Sequence, residues 1–492
     1  MLYKLFLFIN RSNNPMTKPQ KKTKQEQYTK YKLSRNKPNE IDIIHLEDPK
    51  VTREWFFENY IKPRKPTVIK YNPNSKKFKV NTSSFKPENI LQTLKSNEDD
   101  EIDIDELLQV EELNNGGFGS GNRRLKMKLD EFLNRIEKGE SLYLTTQYTE
   151  NDPENCEDKD EENEDSAEEE EEEEDDDDDA GFANLNESDD EFTNDMHDDF
   201  EEEFGDEFDG EMDESVEPSK IYQSPLDRLL HNKLDHLPPH ATEIVEPLIP
   251  QQINLWFGRT PSETEQLKIE KGSSGEILMN RGLPTKNSTS TGLHHDHADN
   301  LYVLVQGKKR FTLFSPDFAH HLYTTGDIRM IYDTGVIDYV RNEKAKNWTN
   351  VRADGGCIES ENDEEKKCDS SDSDNEIKQD PPSFTKIPPA LLHLDEADKS
   401  HLNHLETYSK ANFPKFHEIK DSSAQVTLED GDLLYLPAGW FHEVTSFGDD
   451  EKNNVHVALN YWFVPPDGES ISRPYTDSVW NDDFESFKET YL

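Results

Sequence analysis

The sequence predicts a mainly β fold with some α: a double-sheet jelly roll, buttressed by an N-terminal helical part and carrying disordered acidic insertions. Three observations predict it. From residue 288 onward the chain reads as short alternating apolar segments. Helix-period segments concentrate before residue 140. Two stretches are too acidic to bury a core and must hang from the fold as loops.

Residues 1–39 are read as a disordered basic arm, rich in Lys, Arg, Gln and Thr after Met16. The apolar stretch MLYKLFLFIN is interrupted by Lys4, and no small-residue cleavage site follows it. A signal peptide is therefore not expected, and Met16 offers an alternative start. Residues 40–149 open the globular part. Thr52 caps a predicted helix through Trp55, Phe56 and Tyr60, which Pro63 and Pro66 stop. Thr67-Val68-Ile69 reads as a strand. Leu129, Phe132, Leu133 and Ile136 recur at helical spacing, and SLYLTTQY (141–148) reads as the next strand.

The charge is unevenly distributed. Residues 151–217 hold 38 of the 106 acidic residues and one base, Lys159, so that segment carries −37 of the net −51. Glu168 to Asp179 is an unbroken run of twelve carboxylates, which repel one another. Residues 150–217 are accordingly read as a disordered insertion. Globular composition resumes near Ser219, with a short helix expected over 221–235 and a strand over 252–258. The rest, 218–492, is read as one domain with a second acidic loop at about 341–384, where residues 359–380 carry ten acids and three bases. The acidic block should attract basic proteins and repel bare nucleic acid, so no direct nucleic-acid binding is expected. No apolar run approaches the roughly 20 residues of a membrane span. Cys156, Cys357 and Cys368 lack zinc-ligand spacing and cannot build a disulfide framework. They point to a reducing compartment, the cytoplasm, the nucleus or both.

The chemistry concentrates in STSTGLHHDHADNLYVLVQGKKRFTLFSP (288–316). Asn300–Val305 and Lys308–Phe314 flank Gln306-Gly307, which predicts a tight hairpin. On an extended segment, residues i and i+2 point to the same side. His294 and Asp296 can therefore grip one ion, with His295 and His297 the alternative pair. LEDGDLLYLPAGWFHEVTSFG (428–448) supplies a turn at Gly431-Asp432, a strand at Leu433–Leu436, a bend at Pro437-Ala438-Gly439 and then His442. On the last strand, HVALNYWF, one face carries His456, Ala458, Asn460 and Trp462; His456 is expected to be a satisfied core histidine. Two histidines and one carboxylate leave three coordination positions open, which suits non-haem iron(II) without excluding zinc or manganese.

These residues resemble the JmjC domain of 2-oxoglutarate oxygenases. The resemblance rests on T-x-x-H-x-D-x-x-x-N-x-x-x-x-x-x-G-x-K, from Thr291 to Lys309, and G-D-x-x-x-x-P-x-x-W-x-H, from Gly431 to His442. It covers residues 288–463 clearly and is closest to the small hydroxylase branch, which includes factor-inhibiting-HIF-like and JMJD-seven-like enzymes. It implies a double-stranded β-helix of the cupin-like kind. It implies that His294, Asp296 and His442 bind Fe(II), and that 2-oxoglutarate is the cosubstrate. Lys309 would pair with the distal carboxylate of 2-oxoglutarate, with Lys308 the alternative in register. Thr291, Asn300, Tyr143 and Asn460 would bind the same molecule, and Trp462 would form a wall beneath the iron. The implied reaction decarboxylates 2-oxoglutarate to succinate and hydroxylates a C–H bond.

Three functions compete on this fold: hydroxylation of a side chain on a protein substrate, demethylation of histone N-methyl-lysine, and a non-enzymatic or tRNA-acting role such as a tRNA-modifying hydroxylation. The first is preferred, because no spacing of cysteines supports a zinc-finger reader. The acidic block makes a basic protein the expected partner.

Overall fold

The computed structural model describes residues 28–95, 107–113, 117–118, 124–147, 221–231, 233–261, 267–271, 277–342, 345, 348–358, 381–477 and 480. The acidic insertion expected over 150–217, the 359–380 stretch and the first 27 residues lie outside them.

The N-terminal part contains strands β1 (Asp42–His45), β2 (Thr67–Lys70), β3 (Leu108–Glu112), β4 (Arg124–Met127), β5 (Leu142–Leu144) and β6 (Pro250–Arg259). Among them lie helices α1 (Arg53–Phe56), α2 (Ile90–Leu94) and α3 (Leu129–Glu137). Thr52 caps α1 as its sequence predicts, accepting from the Trp55 N–H at 3.2 Å. The helix then widens into a π turn, Phe57–Ile61, and stops before Pro63, whose nitrogen has no hydrogen to donate. In α3, Leu129, Phe132 and Ile136 face the core, as the helical spacing requires. Residues 221–236 form two short 3-10 turns, Leu226–His231 and Leu234–His236, instead of one helix.

The remainder contributes β7 (Ile269–Lys271), β8 (Ile277–Met279), β9 (Ser288–Ser290), β10 (Asp299–Gln306), β11 (Lys308–Phe314), β12 (Ile328–Ile331), β13 (Ile337–Tyr339), β14 (Asn350–Val351), β15 (Cys357–Ile358), β16 (Ala424–Leu428), β17 (Leu433–Leu436), β18 (Phe441–Phe447) and β19 (Val455–Phe463). Helices α4 (Lys399–Asn412) and α5 (Pro414–Ile419) interrupt the strands, in a region whose sequence reads as mostly strands. The Asp398 carboxylate caps α4 by accepting from the Ser400 and His401 N–H groups.

Two sheets face each other. The larger runs β1-β2-β17-β10-β19-β6-β5-β3-β4, and the smaller runs β16-β11-β18-β9. This is the mainly β jelly roll expected, a double-stranded β-helix extended at both edges of its larger sheet by N-terminal strands.

The expected hairpin at Gln306-Gly307 is absent. β10 pairs with β17 and β19 in the large sheet, whereas β11 pairs with β16 and β18 in the small one. The chain crosses between sheets at Gly307, whose φ is +107°. The two segments alternate as a hairpin would, but each finds its partners elsewhere.

Alternation on the large sheet builds two cores. Leu301, Val303 and Val305 of β10, with Leu459 and Tyr461 of β19, pack outward against Phe56, Phe57 and Phe132 of the helical layer. Leu304 and Ala458 face inward, against Phe311 and Leu313 of β11 and Phe441 of β18. Fully burying one such large side chain stabilises by roughly 1.5–3 kcal/mol.

Two expected boundaries need correction. Residues 28–39, expected within the basic arm, include folded positions: Tyr28 and Leu33 are buried, and Tyr31 stacks on Trp440 at 6.2 Å. Aromatic residues within a lysine-rich stretch give it an anchor that its average polarity hides. The loop at about 341–384 has folded flanks, since β14, β15 and the buried Trp348, Val351 and Phe384 fall inside those limits. Among the described residues, no helix is long and apolar enough to cross a membrane.

Candidate metal centre

His294 and His442 face each other across an antiparallel bridge between the segment after β9 and the start of β18. The His294 N–H donates to the His442 carbonyl at 3.1 Å, and the His442 N–H to the His294 carbonyl at 2.7 Å. Asp296 is tied in by the Gly439 N–H, which donates to its backbone carbonyl at 2.8 Å. One ligand atom from each of His294, Asp296 and His442 lies within 4.8 Å of the others, and all three residues are buried. Asp296 Oδ2 and His442 Nε2 are 3.7 Å apart.

The tautomers follow from the neighbours. His294 Nδ1 is 3.1 Å from the Gly292 carbonyl, and His442 Nδ1 is 3.0 Å from the Trp440 carbonyl. A carbonyl only accepts, so each Nδ1 carries a hydrogen and Nε2 is the ring atom left to face a metal. Burial, and then the neighbouring His442, push His294 well below the ordinary histidine range, so its ring is neutral. Burial raises the Asp296 carboxyl against the opposing pull of His442, His297 and Asn300. Two imidazoles that present Nε2 and a carboxylate that water cannot stabilise form a donor set suited to a divalent cation, whose charge would hold Asp296 ionised.

A polar chamber adjoins this triad. The inward face of the large sheet presents Gln252, Asn254, Trp256 and Gly258 on β6, Asn300 and Tyr302 on β10, and His456, Asn460 and Trp462 on β19. Asn460 accepts from the Trp256 indole at 2.9 Å, and Trp462 is in register with Asn300. Several polar atoms here are buried without a hydrogen-bond partner among the described residues: both amide atoms of Asn254, Asn300 Oδ1, the Tyr302 hydroxyl, both ring nitrogens of His456 and the Trp462 indole nitrogen. Buried polar atoms are normally paired, and leaving one unpaired costs about 1–3 kcal/mol. A polar ligand would satisfy them.

From the opposite sheet comes Lys309, fully buried, its ammonium 2.8 Å from the Tyr143 hydroxyl. Burial pushes its pKa down to about 7. Lys308, the alternative, is exposed. Thr291 sits at the rim, its hydroxyl accepting from the Val444 N–H at 3.2 Å. A cation at one end of a polar chamber and a three-residue metal set beside it fit a small molecule that chelates the metal and ends in a second carboxylate.

A buried network braces the loops around the triad. Arg64, whose φ is +59°, forks onto the Asp299 carboxylate and donates through Nε to the Thr334 carbonyl at 2.7 Å. Asp299 also accepts from the Tyr435 hydroxyl at 2.6 Å and the Ala438 N–H at 3.0 Å. His295 and His297 point away from the triad. His295 Nε2 lies 2.7 Å from the Tyr339 hydroxyl, and His297 donates to the Ile337 carbonyl at 3.2 Å.

Sequence reading did not single out Phe384, which stacks on His294 at 4.8 Å with a 7° interplanar angle. Phe384 follows an acidic stretch and carried no signal. Tyr302 and Trp256 carried one, since each sits at an inward position of an alternating strand. His456 departs from expectation: it is buried, but neither ring nitrogen has a hydrogen-bond partner among the described residues.

A family model described as "Cupin-like domain" matches residues 53–469. The chain belongs to this cupin-like family. Two of its curated relatives are named as JmjC domain-containing proteins. It is 26% identical over 435 residues to JmjC domain-containing protein 4 of Schizosaccharomyces pombe, covering 74% of each chain. It is 25% identical over 173 residues to lysine-specific demethylase JMJ32 of Arabidopsis thaliana, covering 35% of this chain and 38% of that protein. A segment of 40 residues, 8% of this chain and 12% of the relative, is 52% identical to tRNA wybutosine-synthesizing protein 5 of Danio rerio. This cupin-like JmjC protein is an iron(II)- and 2-oxoglutarate-dependent oxygenase, with a His-Asp-His triad that fits iron.

Proposed function

We propose that this oxygenase hydroxylates an amino-acid side chain of a protein substrate, with His294, Asp296 and His442 holding the iron. Lys309 and Tyr143 hold the distal carboxylate of 2-oxoglutarate, and Thr291, Asn300 and Asn460 line the rest of its path. The observation that carries the reading is the placement, inside one barrel, of a three-residue metal set beside a buried ammonium. Iron(II) bound there supplies the dioxygen activation that couples 2-oxoglutarate decarboxylation to C–H hydroxylation.

The chain's own residues do the rest. Carbonyls of Gly292 and Trp440 fix the two imidazole tautomers. Phe384 covers one ring face and limits access of water. Lys309 orients the cosubstrate, and the Arg64–Asp299 network keeps the loops carrying Asp296 and His442 at a fixed separation. An unmodified side chain is preferred as the target because, among the described residues, the triad is the one metal-type cluster, and the sequence offers no zinc-ligand spacing for a reader module.

A second reading, demethylation of N-methyl-lysine, is favoured by two Arabidopsis thaliana relatives named lysine-specific demethylases JMJ32 and JMJ31. Both readings use a protein substrate. Mass spectrometry separates them after incubation of a lysate with enzyme, iron(II) and 2-oxoglutarate. An oxygen atom gained on an unmodified residue supports hydroxylation. Loss of a methyl group with formaldehyde release overturns it in favour of demethylation.

A further inference from the structure

His456 has no role in the reading above, yet its surroundings are built. It stands on the inward face of β19, in register with Gly258 of β6, and Gly258 is in register with Tyr143 of β5. The three positions form one row across three strands, and the middle one has no side chain. A Cβ at Gly258 would come within 2.1 Å of the Tyr143 ring and 2.9 Å of His456 Cε1. Glycine therefore leaves the tyrosine and the imidazole facing each other edge to face, at 5.4 Å between ring centroids. Tyr143 in turn holds the Lys309 ammonium at 2.8 Å. Behind His456, the crossover at Gly307 seals that end of the chamber, where a Cβ would meet His456 Cβ at 2.8 Å. The His456 ring is buried with neither nitrogen partnered among the described residues. One of the two nitrogens of a neutral imidazole is an N–H donor, and an N–H buried beside an ammonium and a phenol is unfavourable until an acceptor reaches it.

We propose that His456 is a specificity-determining residue of the cosubstrate chamber, donating an imidazole N–H to the same carboxylate of 2-oxoglutarate that Lys309 and Tyr143 bind. A carboxylate offers about four lone-pair sites, so three donors can converge on it. A neutral imidazole already carries one N–H, and no proton has to be taken up by His456. The inference rests on the Lys309 reading but not on the identity of the protein substrate. It makes the far wall of the chamber selective for 2-oxo acids that end in a second carboxylate.

The test is calorimetric binding to the full chain loaded with manganese(II), without protein substrate. The ligands are 2-oxoglutarate and 2-oxopentanoate, which lacks the distal carboxylate. His456→Met keeps the bulk and removes the donor; His456→Gln keeps a donor. His456→Met is expected to weaken 2-oxoglutarate about tenfold or more and to leave 2-oxopentanoate unchanged. His456→Gln is expected to stay within about threefold of wild type for both ligands, on the same hydrogen-bond scale. Unchanged 2-oxoglutarate affinity in His456→Met overturns the proposal, as does an equal loss for both acids, which would mark a packing role. Lys309→Met in the same assay separates the two layers. If it too binds 2-oxoglutarate normally, the chamber reading fails as a whole, whereas failure of the hydroxylase reading would leave all these affinities as expected.

Discussion

At the scale of single residues, Lys309 is under opposing demands. Burial holds its pKa near 7 in the folded chain, against 10.5 for an ordinary lysine. The unfolded chain therefore binds more protons than the folded one between those values, and ligand-free stability rises with pH from about 7 towards 10.5. The full shift corresponds to roughly 4–5 kcal/mol, present at and below pH 7 and gone above the unfolded value. Lys309→Met should consequently raise the melting temperature of the ligand-free protein at pH 7 and flatten its pH dependence, while weakening 2-oxoglutarate about tenfold to a hundredfold. An unchanged melting curve would count against the burial cost. The metal ligands behave differently: His294→Ala, Asp296→Ala or His442→Ala should each abolish succinate formation with little change in circular dichroism, and normal turnover by Asp296→Ala would remove it from the metal set. These residues were legible because alternation on strands dictates which neighbours share a face; Lys309 and Lys308 are told apart by that rule alone. Phe384 was not legible, because its contact with His294 is set by where a long connection returns to the barrel.

At the scale of elements, period-two patterning identified strands reliably and pairing poorly. Asn300–Val305 and Lys308–Phe314 were visible as strands, but nothing local distinguishes a hairpin from a crossover between two sheets. The decision comes from β17, β19, β16 and β18, which lie more than a hundred residues later. Glycine at the crossover is compatible with both outcomes. Helices α4 and α5 were missed for a related reason, since α4 buries only Leu405 and Ser409 and shows no broad apolar stripe. The bracing network gives a prediction at this scale. Asp299 is fully buried and receives hydrogen bonds from Arg64, Tyr435 and Ala438. Asp299→Asn leaves the Arg64 guanidinium without its counter-charge and should destabilise by about 3–5 kcal/mol. Urea unfolding measures this, and a loss under 1 kcal/mol would show that water reaches Arg64.

At the scale of the whole molecule, the folded part is one jelly roll whose N-terminal strands complete the large sheet, so β1, β2 and β3–β5 cannot be removed without exposing the edges of β17 and β6. Charge marks residues 151–217 and 359–380 off from the rest of the sequence, and both stretches lie outside the described residues. The exact limits were not, because buried aromatics such as Tyr28, Trp348 and Phe384 sit within polar composition. The −37 charge over residues 151–217 falls between β5, which supplies Tyr143, and β6, which lines the chamber. A concentration of carboxylates there would raise the local concentration of any basic protein substrate, an effect that salt screens over about 8 Å at physiological ionic strength. Deleting residues 151–217 should therefore leave the melting temperature within a few degrees and substrate-uncoupled 2-oxoglutarate turnover nearly unchanged, since so acidic a segment offers little apolar surface to a core. It should slow capture of a basic protein substrate at low salt and matter less at high salt. The measurement is thermal melting together with hydroxylation rates at two salt concentrations. A large fall in melting temperature would assign the acidic block a structural part in joining β5 to β6, and salt-independent kinetics would separate it from substrate recruitment.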